Sequence, residues 1–188
     1  MSTAALLEKA AIRKMIMPIS VAQYHKMSEF SQDLTKTELI EGIIIEKMTK
    51  SPLLTYLLHW LFEFFSSKLS EGYLLRKEDP LTLAASEPEP DIAIVKGSFE
   101  DFKHKHPVRA ELVIEIAISS LELDREKAEI YALAGIPEYW IIVPRDAVVE
   151  VYQEPIEGKY QTIRRHEKTE VIATAWGGLA LEKLFGLG

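Results

Sequence analysis

Residues Leu112–Ile118 read LVIEIAI, an extended run that is apolar on both faces and carries one carboxylate, Glu115, in its middle. With a period of two, Leu112, Ile114, Ile116 and Ile118 line one face, and Val113, Glu115 and Ala117 line the other. A strand apolar on both sides belongs to the interior of a sheet covered on both faces. A glutamate there is desolvated, which is unfavourable unless it is paired or used. The next segment, residues 123–134, has helical spacing. At about 100° per residue, Leu123, Lys127, Ile130, Tyr131 and Ala134 share one arc, with Arg125, Glu126 and Glu129 opposite. Lys127 therefore lies on the apolar face of its helix, directed toward the sheet that carries Glu115.

A second strand, Asp91–Val95, is entered through Ser86-Glu-Pro-Glu-Pro-Asp91. Two prolines fix φ and bias the residues before them away from helix, so this lead-in is stiff and can hold Glu89 and Asp91 in place. Asp91, Ala93 and Val95 share one face. Asp91 and Glu115 each have an alanine two residues along on the same face, and such small neighbours leave room beside a carboxylate.

The remaining elements follow from periodicity and punctuation. Residues 4–16 have helical spacing and stop before Pro18, and Ser20 caps a short helix, Val21–Phe30, with Tyr24 and Met27 facing inward. Thr37–Met48 reads as a hairpin turning near Glu41-Gly42, with Leu39, Ile43 and Ile45 on the face of Glu41 if the pairing is regular. Residues 52–70 form a core helix, with Pro52 in its first turn and leucines and phenylalanines at i, i+3, i+4 and i+7. Strands are expected at Tyr73–Lys77, Leu81–Ala84, Glu138–Val143, Ala147–Gln153, Lys159–Arg165 and Thr169–Thr174, with a closing helix at Leu179–Phe185. Phe99–Arg109 reads as a solvated, charged loop. This order predicts an α/β domain with a mixed central sheet flanked by helices, carrying extra N-terminal helices and C-terminal β-hairpins. Residues 1–34 form a helical appendage and 35–188 the main domain.

Composition narrows the function. With 188 residues, 47% of them hydrophobic, one sizeable core is available. The absence of cysteine excludes disulfides and thiolate metal sites. The longest apolar run, Leu53–Phe65, is too short to span a bilayer, and Met1–Met17 is not a secretory segment, so a soluble, cytoplasmic protein is expected. A net charge of -7 argues against a strong non-specific nucleic-acid binder but leaves room for a local basic groove.

Two carboxylates without cysteine or clustered histidine suit a hard, oxygen-ligated cation, Mg²⁺ or Mn²⁺. A lysine beside them can orient or deprotonate a water, or offset charge developing on a phosphate. Metal-assisted phosphodiester hydrolysis uses all three parts.

In this order, Glu38-Leu-Ile-Glu-Gly42, Pro90-Asp91-Ile-Ala, Leu112-Val-Ile-Glu-Ile116, Asp124-Arg-Glu-Lys127 and Glu129–Val143 resemble the Uma2 family. That family belongs to the PD-(D/E)XK superfamily of nucleases with a restriction-endonuclease-like fold, and the likeness runs from about Thr35 to the C-terminus. The resemblance implies Asp91 as the metal-binding aspartate, Glu115 as the second acid and Glu41 as an additional N-terminal acid. The superfamily lysine usually lies two residues after the second acid, where this chain has Ala117, and the resemblance moves it to Lys127 on the following helix. Leu54 stands where many members carry a histidine. The implied activity is a Mg²⁺- or Mn²⁺-dependent endonuclease acting on DNA, working as a homodimer. Two readings stand beside it. One is a catalytically silent scaffold or nucleic-acid-binding module of the same fold, and the other is a metal-dependent hydrolase of a different substrate.

Overall fold

A computed structural model of the protein describes residues 11, 14–31, 34, 36–47 and 49–186. The expected helix at 4–16 falls mostly outside these residues. The elements are helix α1 (Val21–Ser28), strands β1 (Thr37–Ile40) and β2 (Ile43–Glu46), helix α2 (Pro52–Ser66), and strands β3 (Tyr73–Lys77), β4 (Ile92–Lys96) and β5 (Leu112–Ile116). Helix α3 (Leu121–Leu133) follows, then strands β6 (Glu138–Val143), β7 (Val148–Ile156), β8 (Lys159–Glu167), β9 (Val171–Thr174) and β10 (Gly177–Ala180), and helix α4 (Leu181–Phe185).

Strands β3 to β8 pair in sequence order into one six-stranded sheet, antiparallel except for β5 and β6, which run parallel and are joined by α3. A parallel pair requires such a crossover. The alternation in β4 and β5 divides the core as the sequence predicts. Ile92, Ile94, Leu112, Ile114, Ile116, Trp140 and Ile142 pack against Leu57, Leu58, Leu61 and Phe65 of α2. On the other face, Ala93, Val95, Val113, Ala117, Tyr139 and Ile141 pack against Ile130 and Tyr131 of α3. Three helix ends have a clear local cause. Ser20 and Gln23 form a capping box on α1, and the Ser51 hydroxyl accepts from Leu54 N at 3.1 Å at the start of α2. Helix α3 stops in a Schellman motif: Gly135, at φ +67°, donates to Ala132 O and Ile136 donates to Tyr131 O.

Four expectations change. Met27 is exposed, and of α1 only Tyr24 is buried, donating to Thr37 O at 3.0 Å. Leu81–Ala84 forms no strand. Leu81 donates to Pro88 O and Leu83 to Ser86 O, so the segment folds on the proline-rich lead-in instead of pairing with the sheet. Gly177–Ala180 is a strand paired with β9, so the last helix begins at Leu181. Helix α2 ends at Ser66 rather than at residue 70.

The hairpin β1–β2 differs in a way that matters for the site. Glu41 and Gly42 both have positive φ (+47° and +75°), as a two-residue type I′ turn requires. Such a turn pairs Ile40 with Ile43 and Glu38 with Ile45. Odd and even positions therefore exchange faces across it, so Ile43 and Ile45 share the side of Glu38 and Ile40, and Leu39 lies on the other. Backbone bonds between Leu39 and Glu87, 3.3 and 2.7 Å long, tie the hairpin to the lead-in before β4. No helix among the described residues is long and apolar enough to cross a membrane.

Candidate active site

A cleft of about 700 Å³ opens where the hairpin, the start of β4, the end of β5 and the start of α3 meet. Its floor contains Glu38, Asp91, Glu115, Asp124 and Lys127. The strands bring Asp91 and Glu115 together as the alternation requires. Ile116 N–H donates to Asp91 Oδ2 at 2.7 Å, and Asp91 N–H donates to Glu115 Oε2 at 3.3 Å. Two backbone donors thus hold one oxygen of each carboxylate.

Helix α3 brings the lysine. Lys127 Nζ lies 3.1 Å from Glu115 Oε1, 2.9 Å from Glu38 Oε1 and 3.9 Å from Asp124 Oδ1. Tyr131, one turn on, donates to Glu115 Oε1 at 3.0 Å. The helix is itself anchored beside the site, because Tyr139 of β6 donates to Asp124 O at 2.7 Å and Ser120 donates to Asp124 Oδ2 at 2.6 Å. Lys127, Glu38, Glu115 and Asp124 are each no more than 4% exposed.

Asp91, Glu115 and Lys127 are thus gathered at one place, but Glu41 is not. It is exposed on the hairpin turn, where Ser86 donates to its Oε1 at 3.1 Å. Glu38, the other acid of the hairpin, lines the cleft instead, because the turn sends position 38 inward. Glu38 and Asp124 open two of the motifs that carry the resemblance, but the sequence alone gives them no part in the site. Asp124 carried a usable signal, since it lies three residues before Lys127 on the same helical side. Leu54 lines the cleft, while the charged loop before β5 joins β4 and β5 at their opposite ends and contributes nothing to it.

The electrostatics follow from four carboxylates sharing one buried ammonium. Burial pushes Asp91 up to about 7, against the hydrogen bond from Ile116 and with Asp124 adding to the rise. Burial likewise pushes Glu115 up to about 8, with Lys127 opposing and Asp124, Asp91 and Glu38 reinforcing. Asp124 is raised for the same reason. For Lys127 burial acts downward, but Glu115, Glu38 and Asp124 outweigh it and hold the amine above its ordinary value, so it remains an ammonium.

This donor set fits a hard divalent cation in chemistry. Its ligating atoms are carboxylate oxygens, and with all four acids ionised their negative charge exceeds what Lys127 neutralises. Asp91 and Glu115 would hold such an ion. Among the described residues no three carboxylate or imidazole groups converge as a ready-made metal cage, so water or backbone carbonyls would complete the coordination.

Over residues 21–181 the chain matches the model of the Uma2 family, described as "Putative restriction endonuclease". It also resembles the crystal structure of a "putative nuclease belonging to DUF820" from Anabaena variabilis. That likeness has a TM-score of 0.72 at 18% identity, covers 90% of this chain and 98% of the other, and shows a shared fold. No curated protein matches the chain.

Proposed function

The chain belongs to the Uma2 family, and from that premise we propose that it is a Mg²⁺- or Mn²⁺-dependent endonuclease that hydrolyses DNA phosphodiester bonds in this cleft. The observation that carries the reading is the excess of buried carboxylate around a single ammonium at the floor of an open cleft. Structural ion pairs balance charge. This set stays three negative charges in excess when all four acids are ionised.

Asp91 and Glu115 are the metal-holding carboxylates of this reading. A bound divalent ion supplies positive charge and Lewis acidity against a phosphodiester oxygen. Lys127, kept protonated by its neighbours, is a donor rather than a base: it orients the attacking water by its lone pair and offsets charge growing on the phosphate. Glu38 and Asp124 keep Lys127 in place, and Tyr131 fixes the rotamer of Glu115. The catalytic domain runs over residues 35–188. Residues 1–34 are an appendage whose helix α1 is docked through Tyr24 and through His25, 2.6 Å from Glu87. Cutting both strands of a duplex requires two such sites, so the reading includes a homodimer.

The test is plasmid nicking with Mg²⁺ or Mn²⁺ by the wild type, Asp91→Ala and Lys127→Ala. Loss of activity in both variants is expected, and equal activity in all three would sink the reading. A silent scaffold is favoured by one observation: Lys127 lies within hydrogen-bonding distance of two carboxylates, Glu38 and Glu115, as in a buried ion-pair network. Calorimetric titration with Mn²⁺ separates the two readings, since a scaffold gives no binding that Asp91→Asn abolishes.

A further inference from the structure

The walls of the cleft carry charges that the floor does not use. Lys36, Lys47, Lys50 and Lys77 line it above the carboxylates. Lys47 is ion-paired with Glu89, and Lys50 Nζ lies 2.7 Å from Glu78. Both pairs reach from the segment after the hairpin to the connection between β3 and β4, across the same opening. All four side chains are partly open to solvent, Lys50 at 57% and Lys47 at 31%. Solvent-facing pairs of this kind contribute little stability and exchange partners readily. On a chain with net charge -7, the mouth sets these four lysines against Glu46, Glu78 and Glu89, so an incoming polyanion meets cations only as the lysines leave their acids.

We propose that Lys47 and Lys50 bind the phosphate backbone of a nucleic-acid strand, and that Glu89 and Glu78 hold them in the free protein until the strand takes their place. The inference rests on the nuclease reading of the same cleft. Each lysine gives up a carboxylate for a phosphate, so binding is a partner exchange. The acids tune affinity by competing for the lysines. Glu78 and Glu89 therefore weaken substrate binding, although they contact only the protein's own side chains.

The experiment measures binding of a fluorescein-labelled duplex DNA by anisotropy, using the full chain with Asp91→Asn as background so that cleavage is silent. Salt is varied over about 50 to 200 mM. Lys47→Gln and Lys50→Gln should each weaken binding and lower the log–log salt slope by about one, while Lys50→Arg retains the slope. Glu78→Gln and Glu89→Gln should bind several-fold tighter, because no competing carboxylate remains. Affinities unchanged across the Gln variants, or a loss in the Glu variants equal to that in the Lys variants, would overturn the inference. Nicking by the otherwise wild-type chain with Mn²⁺ keeps the two claims apart. Cleavage with four unchanged affinities removes the exchange and leaves the endonuclease. The expected affinity pattern without cleavage removes the endonuclease and leaves the exchange. No binding by the background chain removes the exchange outright.

Discussion

Glu38 and Lys127 meet at 2.9 Å, although one lies on a two-stranded hairpin outside the main sheet and the other on the helix that crosses over it. The hairpin thus supplies a third acid to a pair set up by adjacent strands. The register that produces this comes from a two-residue turn.

Glu38→Gln should lower Mn²⁺-dependent nicking by about 10- to 100-fold, the scale of lost support for an active-site group. Glu41→Gln should leave it within about two-fold, since its carboxylate contacts Ser86 on the turn. Initial nicking rates of the two variants decide the matter, and an equal loss in both would return the turn acid to the site.

Replacing the only buried cation of the cluster is expected to destabilise the fold at pH 8. Lys127→Met leaves Glu38, Glu115 and Asp124 buried without a counter-charge, a loss on the order of 3 kcal/mol. At pH 5.5 the raised acids take up protons, so the deficit should shrink. Urea unfolding at the two pH values tests this, and a deficit independent of pH would show that packing of the lysine stem dominates.

The metal-free wild type should itself lose stability as pH rises from about 5 to about 8. Asp91 and Glu115 have folded values of about 7 and about 8, above ordinary values of 3.8 and 4.5. Over that window the native state holds protons that the unfolded chain has already released. The slope of stability against pH is therefore negative, and it levels off above the folded values. Together the two acids make this change on the order of a few kcal/mol. Acids with lowered values, Glu150 and Asp101, act in the opposite sense but only at more acidic pH. Thermal melts in EDTA from pH 5 to 8 should fall in midpoint, and a rising profile would contradict the assigned directions.

Saturating Mn²⁺ should raise the melting temperature at pH 8 and flatten that profile, because an ion that binds only the folded state stabilises it by about 2.7 kcal/mol at a hundred times Kd. In Asp91→Asn the shift should disappear. Melts with and without the ion, in both proteins, measure this without reference to any substrate.

Gly42→Ala probes the hairpin alone. A Cβ at this position would collide with Pro18 Cβ, and the backbone has φ +75°. Both effects disfavour alanine, so a loss of about 1–3 kcal/mol in urea unfolding is expected. If the turn sets the direction of Glu38, nicking should fall together with stability.

Much of the fold was legible because it rests on strict alternation. LVIEIAI and the arc of α3 placed Glu115 and Lys127 on facing surfaces without any knowledge of the topology. Glu38 was not legible, because the face of a hairpin residue depends on whether its loop has an even or odd number of residues, and Glu41-Gly42 permits either. The strand expected at Leu81–Ala84 failed for another reason. Its apolar residues are buried, as Leu81 and Leu83 show, but their backbone donors bond locally to Pro88 and Ser86. Apolar spacing reports burial and does not report which ladder a segment joins.

The lead-in from Ser86 to Asp91 has a consequence beyond stiffness. Ser86 bonds Glu41, Glu87 bonds His25 and Thr82 while its backbone bridges Leu39, Glu89 pairs with Lys47, and Asp91 receives Ile116. Each polar side chain answers to a different part of the chain, and the two prolines between them keep the spacing from relaxing. Surface connections ordinarily tolerate a residue more or less. Here, adding or removing one would carry Asp91 off Ile116 and shift every earlier contact onto the wrong neighbour. The segment behaves as a gauge, and its length is as much a part of the site as the acid at its end.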